Sequence, residues 1–211
     1  MQLICIRHGQ SQFNSEGRIQ GQWDTPLSEL GQAQAQALAV ALGHEPIDAV
    51  FSSPLRRAVQ TALPTAAALG QEVRVVQGLQ EINAGLFQGL LWSEIEVRYP
   101  DEARRWLAHE PDFVVPGGES RAQLMQRGRA AFEEIRRSGP FDRVAVFTHG
   151  GLLGAALKSL LDIPAARNPF GFFNGSITRI RWDAHVKLLT LNETEHLRAA
   201  AVERLDRTGD L

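Results

Sequence analysis

Two places in the chain set a histidine at the end of an apolar run. Leu3-Ile4-Cys5-Ile6 leads into Arg7-His8-Gly9, and Val144-Ala145-Val146-Phe147 leads into Thr148-His149-Gly150-Gly151. Each reads as a buried strand ending in His-Gly. Neighbouring side chains on a regular strand point to opposite faces, so Arg7 and His8 cannot share a pocket if the strand runs on through them. Gly9 allows the backbone to leave the pleat, and both side chains are expected to turn toward the sheet's edge there. In a parallel sheet the carboxyl ends of the strands share one edge, where ligands bind. His8 and His149 are therefore expected to face each other. The other histidines, His44, His109, His185 and His196, have no such setting and read as surface or packing residues.

A third segment, Ser52-Ser53-Pro54-Leu55-Arg56-Arg57-Ala58-Val59-Gln60-Thr61, follows another strand and opens a helix with proline at its first position. A helix N-terminus presents free N–H groups and a favourable dipole to an anion. Arginine adds a rigid fork of donors that matches phosphate oxygens. Basic residues oppose the dipole at a helix start, so this pair calls for a compensating anion. Other anion chemistries are missing. There is no Gly-x-x-x-x-Gly-Lys loop, no Gly-x-Ser-x-Gly elbow and no acidic cluster spaced for two metals. Cys5 has Ser11 rather than arginine six positions on, so a cysteine phosphatase loop is absent too. Anion binding without a metal leaves histidine as the nucleophile.

The elements that must position these groups are legible. Strands are expected at 2–6, 49–52, 72–76, 143–147, 177–182 and 186–191, the last two joined as a hairpin across Asp183-Ala184-His185. Ser28 should cap a helix over 29–42 that ends at Gly43, and Ser120 with Gln123 should cap a long helix to about 137. Another helix is expected over 152–161. Pro64 should kink or end the helix that begins at Ser53-Pro54. Strands alternating with helices give an α/β layered fold. Residues 85–118, with Trp92, Tyr99, Trp106 and three prolines, read as short helical pieces passing over one end of the sheet. The tail after about Arg198 is charged and reads as a terminal helix without a core face.

At 211 residues, 44% hydrophobic and 22% charged, the chain reads as one globular domain, residues 1–211, with 85–118 as a lid-like insertion. A net charge of -2 argues against a dedicated nucleic-acid binder. One cysteine excludes a disulfide framework. With no cationic leader and no bilayer-length apolar run, the cytoplasm is the expected compartment.

These residues resemble the histidine phosphatase superfamily, also called phosphoglycerate mutase-like. Its signature Arg-His-Gly-x-Ser/Thr-x-x-Asn is matched at every fixed position by residues 7 to 14, Arg7 through Asn14. The likeness continues in order through Gln20-Gly21-Gln22-Trp23-Asp24-Thr25-Pro26-Leu27-Ser28, Ser52-Ser53-Pro54-Leu55 with Arg57, Gln60 and Thr61, Leu79-Gln80-Glu81-Ile82, Gly85-Leu86-Phe87-Gln88-Gly89, Pro116-Gly117-Gly118-Glu119-Ser120 and Thr148-His149-Gly150-Gly151. The resemblance implies a three-layer α/β/α sandwich around a mostly parallel sheet with one antiparallel strand. It implies that His8 takes the phosphoryl group and that Arg7, Arg57 and His149 hold the phosphate. Asn14, the amide side of Gln20-Gly21, and Gly150 would lie nearby. Glu81 matches the proton donor. No metal and no cofactor are implied.

Within that family, the mutases carry Glu-Arg-His-Tyr-Gly where this chain has Glu81-Ile82-Asn83-Ala84-Gly85. Ile82 and Ala84 offer no charge to retain a bisphosphate, so the expectation is the broad-specificity phosphatase branch. That means a metal-independent phosphomonoester hydrolase acting through phosphohistidine on small phosphorylated metabolites. A cofactor-dependent phosphoglycerate mutase is the alternative, and a non-catalytic phosphate-binding module a third. The glutamate often found before Gly89 is Gln88 here, which concentrates the donor role on Glu81. The expected partner is a small phosphorylated substrate, with no nucleic acid and no membrane; a homodimer remains open.

Overall fold

A computed structural model describes residues 1–204. Six strands form one sheet: β1 (Gln2–Arg7), β2 (Ala49–Ser52), β3 (Val73–Val75), β4 (Arg143–Thr148), β5 (Ile177–Trp182) and β6 (Val186–Glu193). Eight α-helices accompany them: α1 (Gln12–Glu16), α2 (Glu29–Leu42), α3 (Arg56–Leu69), α4 (Trp92–Arg98), α5 (Pro100–Leu107), α6 (Arg121–Arg137), α7 (Gly150–Leu160) and α8 (Glu195–Ala199). The strand order is β3-β2-β4-β1-β5-β6. β3, β2, β4 and β1 run parallel, while β5 is antiparallel to both β1 and β6. One strand therefore opposes the other five.

The alternation along β1 shows why the fold has three layers. Ile4 and Ile6 face Leu38 and Leu42 of α2 and Ala62 and Ala66 of α3. Leu3 and Cys5 join a core with Phe132 and Ile135 of α6 and Leu153 and Leu157 of α7. A strand apolar on both faces needs a helical layer on each side. Burying side chains of this size contributes roughly 1.5–3 kcal/mol apiece.

The caps read from sequence are present. Ser28 accepts from the Gly31 N–H, and Ser120 with Gln123 closes a reciprocal capping box. Three local readings are corrected. Helix α3 begins at Arg56 rather than at Ser53-Pro54: the Ser53 hydroxyl meets the Leu55 N–H and His149 ahead of the helix, and Asp24 from a distant loop accepts from the Arg56 N–H at 2.5 Å. Pro64 neither ends nor breaks α3, which runs on to Leu69. The missing donor removes one hydrogen bond, while Ala62 and Ala66 on either side are anchored against the sheet. The terminal helix α8 lies ahead of the expected place, over Glu195–Ala199 and anchored by the buried Leu197, while residues 199–204 have no buried side chain, as the sequence suggests; residues 205–211 lie outside the described residues.

Residues 85–118 carry a short 3-10 turn, α4 and α5, as the sequence suggests. Their aromatic residues cluster on one another: Trp92, Tyr99 and Trp106 surround the buried Phe87 ring with centroids 6.0–6.4 Å away. This set is packing, and Trp23 and Leu86 stay largely exposed.

Candidate active site

The site begins in the register of the sheet. β1 and β4 pair in parallel with Ile6 opposite Phe147 and Arg7 opposite Thr148. The next residue of each strand is a histidine, and the His8 N–H continues the ladder to the Thr148 carbonyl at 2.9 Å. The rings consequently meet edge to face, with centroids 5.1 Å apart. Gly9 plays a different part from the one its backbone freedom suggests. Strand geometry holds through Arg7, and Gly9 is not among the glycines with positive φ. A Cβ there would lie 2.6 Å from the Gly31 carbonyl oxygen, so glycine is needed for the close approach to the start of α2. The side chains of Arg7 and His8 start from opposite faces and converge only because the sheet ends.

The His8 tautomer is fixed by its two partners. A carbonyl accepts only and a guanidinium donates only. Nδ1 therefore donates to the Gly9 carbonyl at 2.6 Å, and Nε2 accepts from Arg57 Nε at 3.2 Å. The lone pair lies on the nitrogen that faces the arginine. Burial, then the charges of Arg57 and Arg7, push the His8 imidazole well below its ordinary range. His149 is lowered likewise, first by burial and then by Arg57. Its Nε2 meets Ser53 Oγ at 2.8 Å, and its buried Nδ1 has no hydrogen-bond partner.

Arg57 is fully buried at the start of α3 and donates to the carbonyls of Trp23 at 2.9 Å and Gly21 at 2.8 Å. The carbonyl side of Gly21, not its amide side, thus faces the arginine. Gly21 itself has a φ of 53° and sits against Gln88, whose side-chain oxygen accepts from the Gln22 N–H at 2.6 Å. Arg7 reaches across to the Phe172 carbonyl at 2.5 Å. Asn14 and Gln20 brace the loop after His8: Asn14 Oδ1 accepts from the Ser11 N–H, and Gln20 Oε1 accepts from the Ser11 and Thr25 hydroxyls.

Glu81 arrives from the other side. Its Oε1 accepts from the backbone N–H groups of Ile82 at 2.8 Å and Leu152 at 2.9 Å, and its Oε2 from Gly151 at 2.9 Å. The carboxylate therefore sits on the N-terminus of α7, two residues beyond His149, and Gly150 is buried beside it. A Cβ at Gly151 would lie 2.5 Å from Glu81 Oε1, so the bonds holding the carboxylate would have to shift if any side chain stood there.

Two supporting groups, Arg127 and Asn174, carry no signal in the sequence, and a third, Thr61, belongs to the matched segment. Arg127 donates to the carbonyls of Gly78, Gln80 and Glu81 and pairs with Glu119, which fixes the Glu81 loop. Asn174 donates to the His8 carbonyl and to Asn14 Oδ1. Thr61 accepts from the Gly9 N–H while donating to the Arg57 carbonyl. No local pattern marks the first two, whose partners lie as many as 166 residues away.

Among the described residues, no cluster of three or more His, Cys, Asp or Glu side chains could hold a metal ion, and no helix is long and apolar enough to cross a membrane. Buried imidazoles and guanidinium groups around a sheet edge are suited to holding a phosphate group. The chain belongs to the histidine phosphatase superfamily (branch 1), whose family model matches residues 3–194. It is 36% identical over 205 residues to phosphoserine phosphatase 1 of Hydrogenobacter thermophilus, covering 96% of this chain and 97% of that one. It is 31% identical to a probable phosphoglycerate mutase of Escherichia coli O1:K1 over 98% of this chain and 100% of the relative. Among solved structures, a mycobacterial glucosyl-3-phosphoglycerate phosphatase in complex with VO3 superposes with a TM-score of 0.82 at 37% identity, over 90% of this chain and 98% of that one. The chain is a phosphatase of the histidine phosphatase type.

Proposed function

We propose that the chain hydrolyses phosphomonoesters of small metabolites without a metal, by way of a phosphoryl group carried on His8 Nε2. The observation that supports this most strongly is the fixed tautomer: Nδ1–H is tied to the Gly9 carbonyl, leaving the Nε2 lone pair beside Arg57. In the first step Nε2 attacks phosphorus and the bond to the leaving oxygen breaks, with Arg7, Arg57 and His149 on the phosphoryl oxygens. A cation about 4 Å from such an oxygen contributes roughly 4 kcal/mol at an effective dielectric of 20, and the loose transition state depends on this kind of charge stabilisation. The leaving oxygen takes a proton from Glu81. Three backbone donors occupy lone pairs of that carboxyl group, and Oε2, with only one of them, keeps a lone pair for the transferred proton. Water then attacks phosphorus, gives its proton to Glu81, and releases phosphate as the P–N bond breaks.

In this reading residues 1–211 act as one catalytic domain with 85–118 as a wall of the site, and Asn14, Gln20, Gly21 and Gly150 shape the phosphate cradle. Hydrolysis is favoured over mutase action by Ile82 and Ala84, both buried and apolar, which leave the position after Glu81 without a charge to hold a reorienting bisphosphate. His8→Ala should lower aryl phosphatase kcat by on the order of 10⁴-fold or more, since the nucleophile itself is lost. Chelators should leave the wild type unchanged, and phosphorus NMR of rapidly quenched enzyme should detect an acid-labile phosphoramidate. Turnover by His8→Ala at the wild-type rate would end the proposal.

A further inference from the structure

A cavity of about 250 Å³ lies along α7, next to the helix N-terminus that holds Glu81, with none of the side chains of Arg7, His8, Arg57, Glu81 or His149 in its lining. Its floor is a stripe of small residues, Gly150, Gly151, Gly154 and Ala155, with Lys158 on the same face. From Gly150 to Lys158 the helix rises about 12 Å. Gly151 and Ile82, both in the wall, are the residues whose N–H groups hold Glu81, so the cavity opens where the leaving group would depart.

Two cations line it, and both are more than nine-tenths buried: Arg121 is 8% exposed and Lys158 5%. The Arg121 guanidinium stacks over Trp106 at 3.9 Å and donates through Nη2 to the Trp106 carbonyl, while its buried Nη1 has no hydrogen-bond partner. Lys158 donates to the Ala165 carbonyl at 3.1 Å. His109 is half-buried nearby, and burial followed by the charges of Arg121 and Lys158 holds its imidazole below the ordinary range. Burial pulls Arg121 down to about 10, and Lys158 is lowered by burial and by Arg121. Among the described residues, the hydrogen bonds of both go to main-chain carbonyls and none to a carboxylate. Two unpaired like charges in a closed space are costly unless an anion joins them.

We propose that this cavity binds an oxyanion at the far end of the substrate's leaving group, a carboxylate or a second phosphate, between Arg121 and Lys158. The assignment rests on hydrolysis at His8, because it places the rest of that substrate. Acidic phosphomonoesters are then the preferred class, and Arg121 and Lys158 are specificity residues that take no part in the chemical step.

The test is competition against hydrolysis of p-nitrophenyl phosphate, which has no distal anion. 3-Phosphoglycerate is compared with glycerol 3-phosphate, and fructose 1,6-bisphosphate with fructose 6-phosphate. In the wild type the acidic member of at least one pair should compete better. Which pair shows the preference identifies the oxyanion. Lys158→Met should weaken that competitor by about 10-fold or more, the scale of a lost charge-assisted hydrogen bond, while kcat for p-nitrophenyl phosphate stays within about two-fold. Lys158→Arg should restore the preference. Arg121→Gln should act in the same direction, but it also removes the stack on Trp106, so the Lys158 variants carry the decision. No preference in either pair, or equal weakening of acidic and neutral competitors in Lys158→Met, would overturn the proposal. Failure of the hydrolytic reading itself would show separately, as undiminished turnover by His8→Ala.

Discussion

Arg57 and Arg179 are both substantially buried arginines that bridge distant parts of the chain, yet they are held by opposite kinds of partner. Arg179 lies between two carboxylates, with Nη1 and Nη2 on Glu45 at 2.9 and 2.7 Å and Nε on Glu193 at 3.1 Å. These acids raise its proton affinity further. Arg57 donates instead to two main-chain carbonyls and an imidazole. Its charge is still felt at both His8 and His149, each of which it lowers. Carbonyl partners satisfy the geometry of a guanidinium without cancelling its charge. The same distinction separates Lys158, donating to a carbonyl, from Arg127, which pairs with Glu119. The carboxylates on Arg179 tie distant parts of the fold together.

Four variants would break or sharpen this contrast. The largest effect is expected for Glu81→Gln, which keeps the size but loses the transferable proton. Its kcat for alkyl phosphates should fall by about 10²–10⁴-fold, with a much smaller loss for p-nitrophenyl phosphate, whose leaving group needs no proton. Equal losses for both would argue that Glu81 only caps α7. Next comes Arg57→Gln, expected to cost about 10²–10³ in kcat, the scale of one removed oxyanion donor. The counterpart Arg179→Met should leave kcat/KM within about two-fold; a comparable loss of activity there would erase the contrast.

Stability should also divide the two regions. In the folded state His8 and His149 are held neutral, with affinities for protons below the free imidazole value of about 6.5. As pH falls below that value the unfolded chain takes up protons that the folded chain refuses, so stability is complete above it and is lost on acidification. The slope is about 1.4 kcal/mol per pH unit for each histidine. Urea titrations between pH 7 and 5 should show this loss, and His149→Gln should flatten it. Persistence of the full slope in that variant would place the titration elsewhere. Arg179→Met is expected to give the smallest change, a loss of about 1 kcal/mol for a partly exposed ion-pair network, read as a lowered Tm that high salt partly masks.

Much of the fold is written locally. All six strands and the capped starts of α2 and α6 follow from alternation and from side chains that bond within three residues, as Ser28 does to Gly31 and Ser120 to Gln123. The local readings that failed were decided by a remote partner. Ser53 bonds the Leu55 N–H and His149 ahead of α3, and the first helical N–H, that of Arg56, goes to the remote Asp24. Gly9 suggested backbone freedom, whereas it serves the approach of α2. Arg121 carried the same signal as Arg57, a basic residue in the first turn of a helix. It went unread because its setting depends on Trp106 and Lys158, which lie 15 and 37 positions away in the chain.

By itself, then, the amino-acid order determined that two core strands would each end in His-Gly, and that Arg57 would stand at a helix start. Those are properties of short stretches, set by dihedral preference and neighbouring donors. Only the tertiary structure decided that Arg7 would pair with Thr148, so that the two imidazoles stand 5.1 Å apart. It alone brought Glu81 onto the α7 terminus and shut Arg121 and Lys158 into one cavity. Such convergence is selected by the burial and pairing energy of the whole sheet and both helical layers, which no short segment contains.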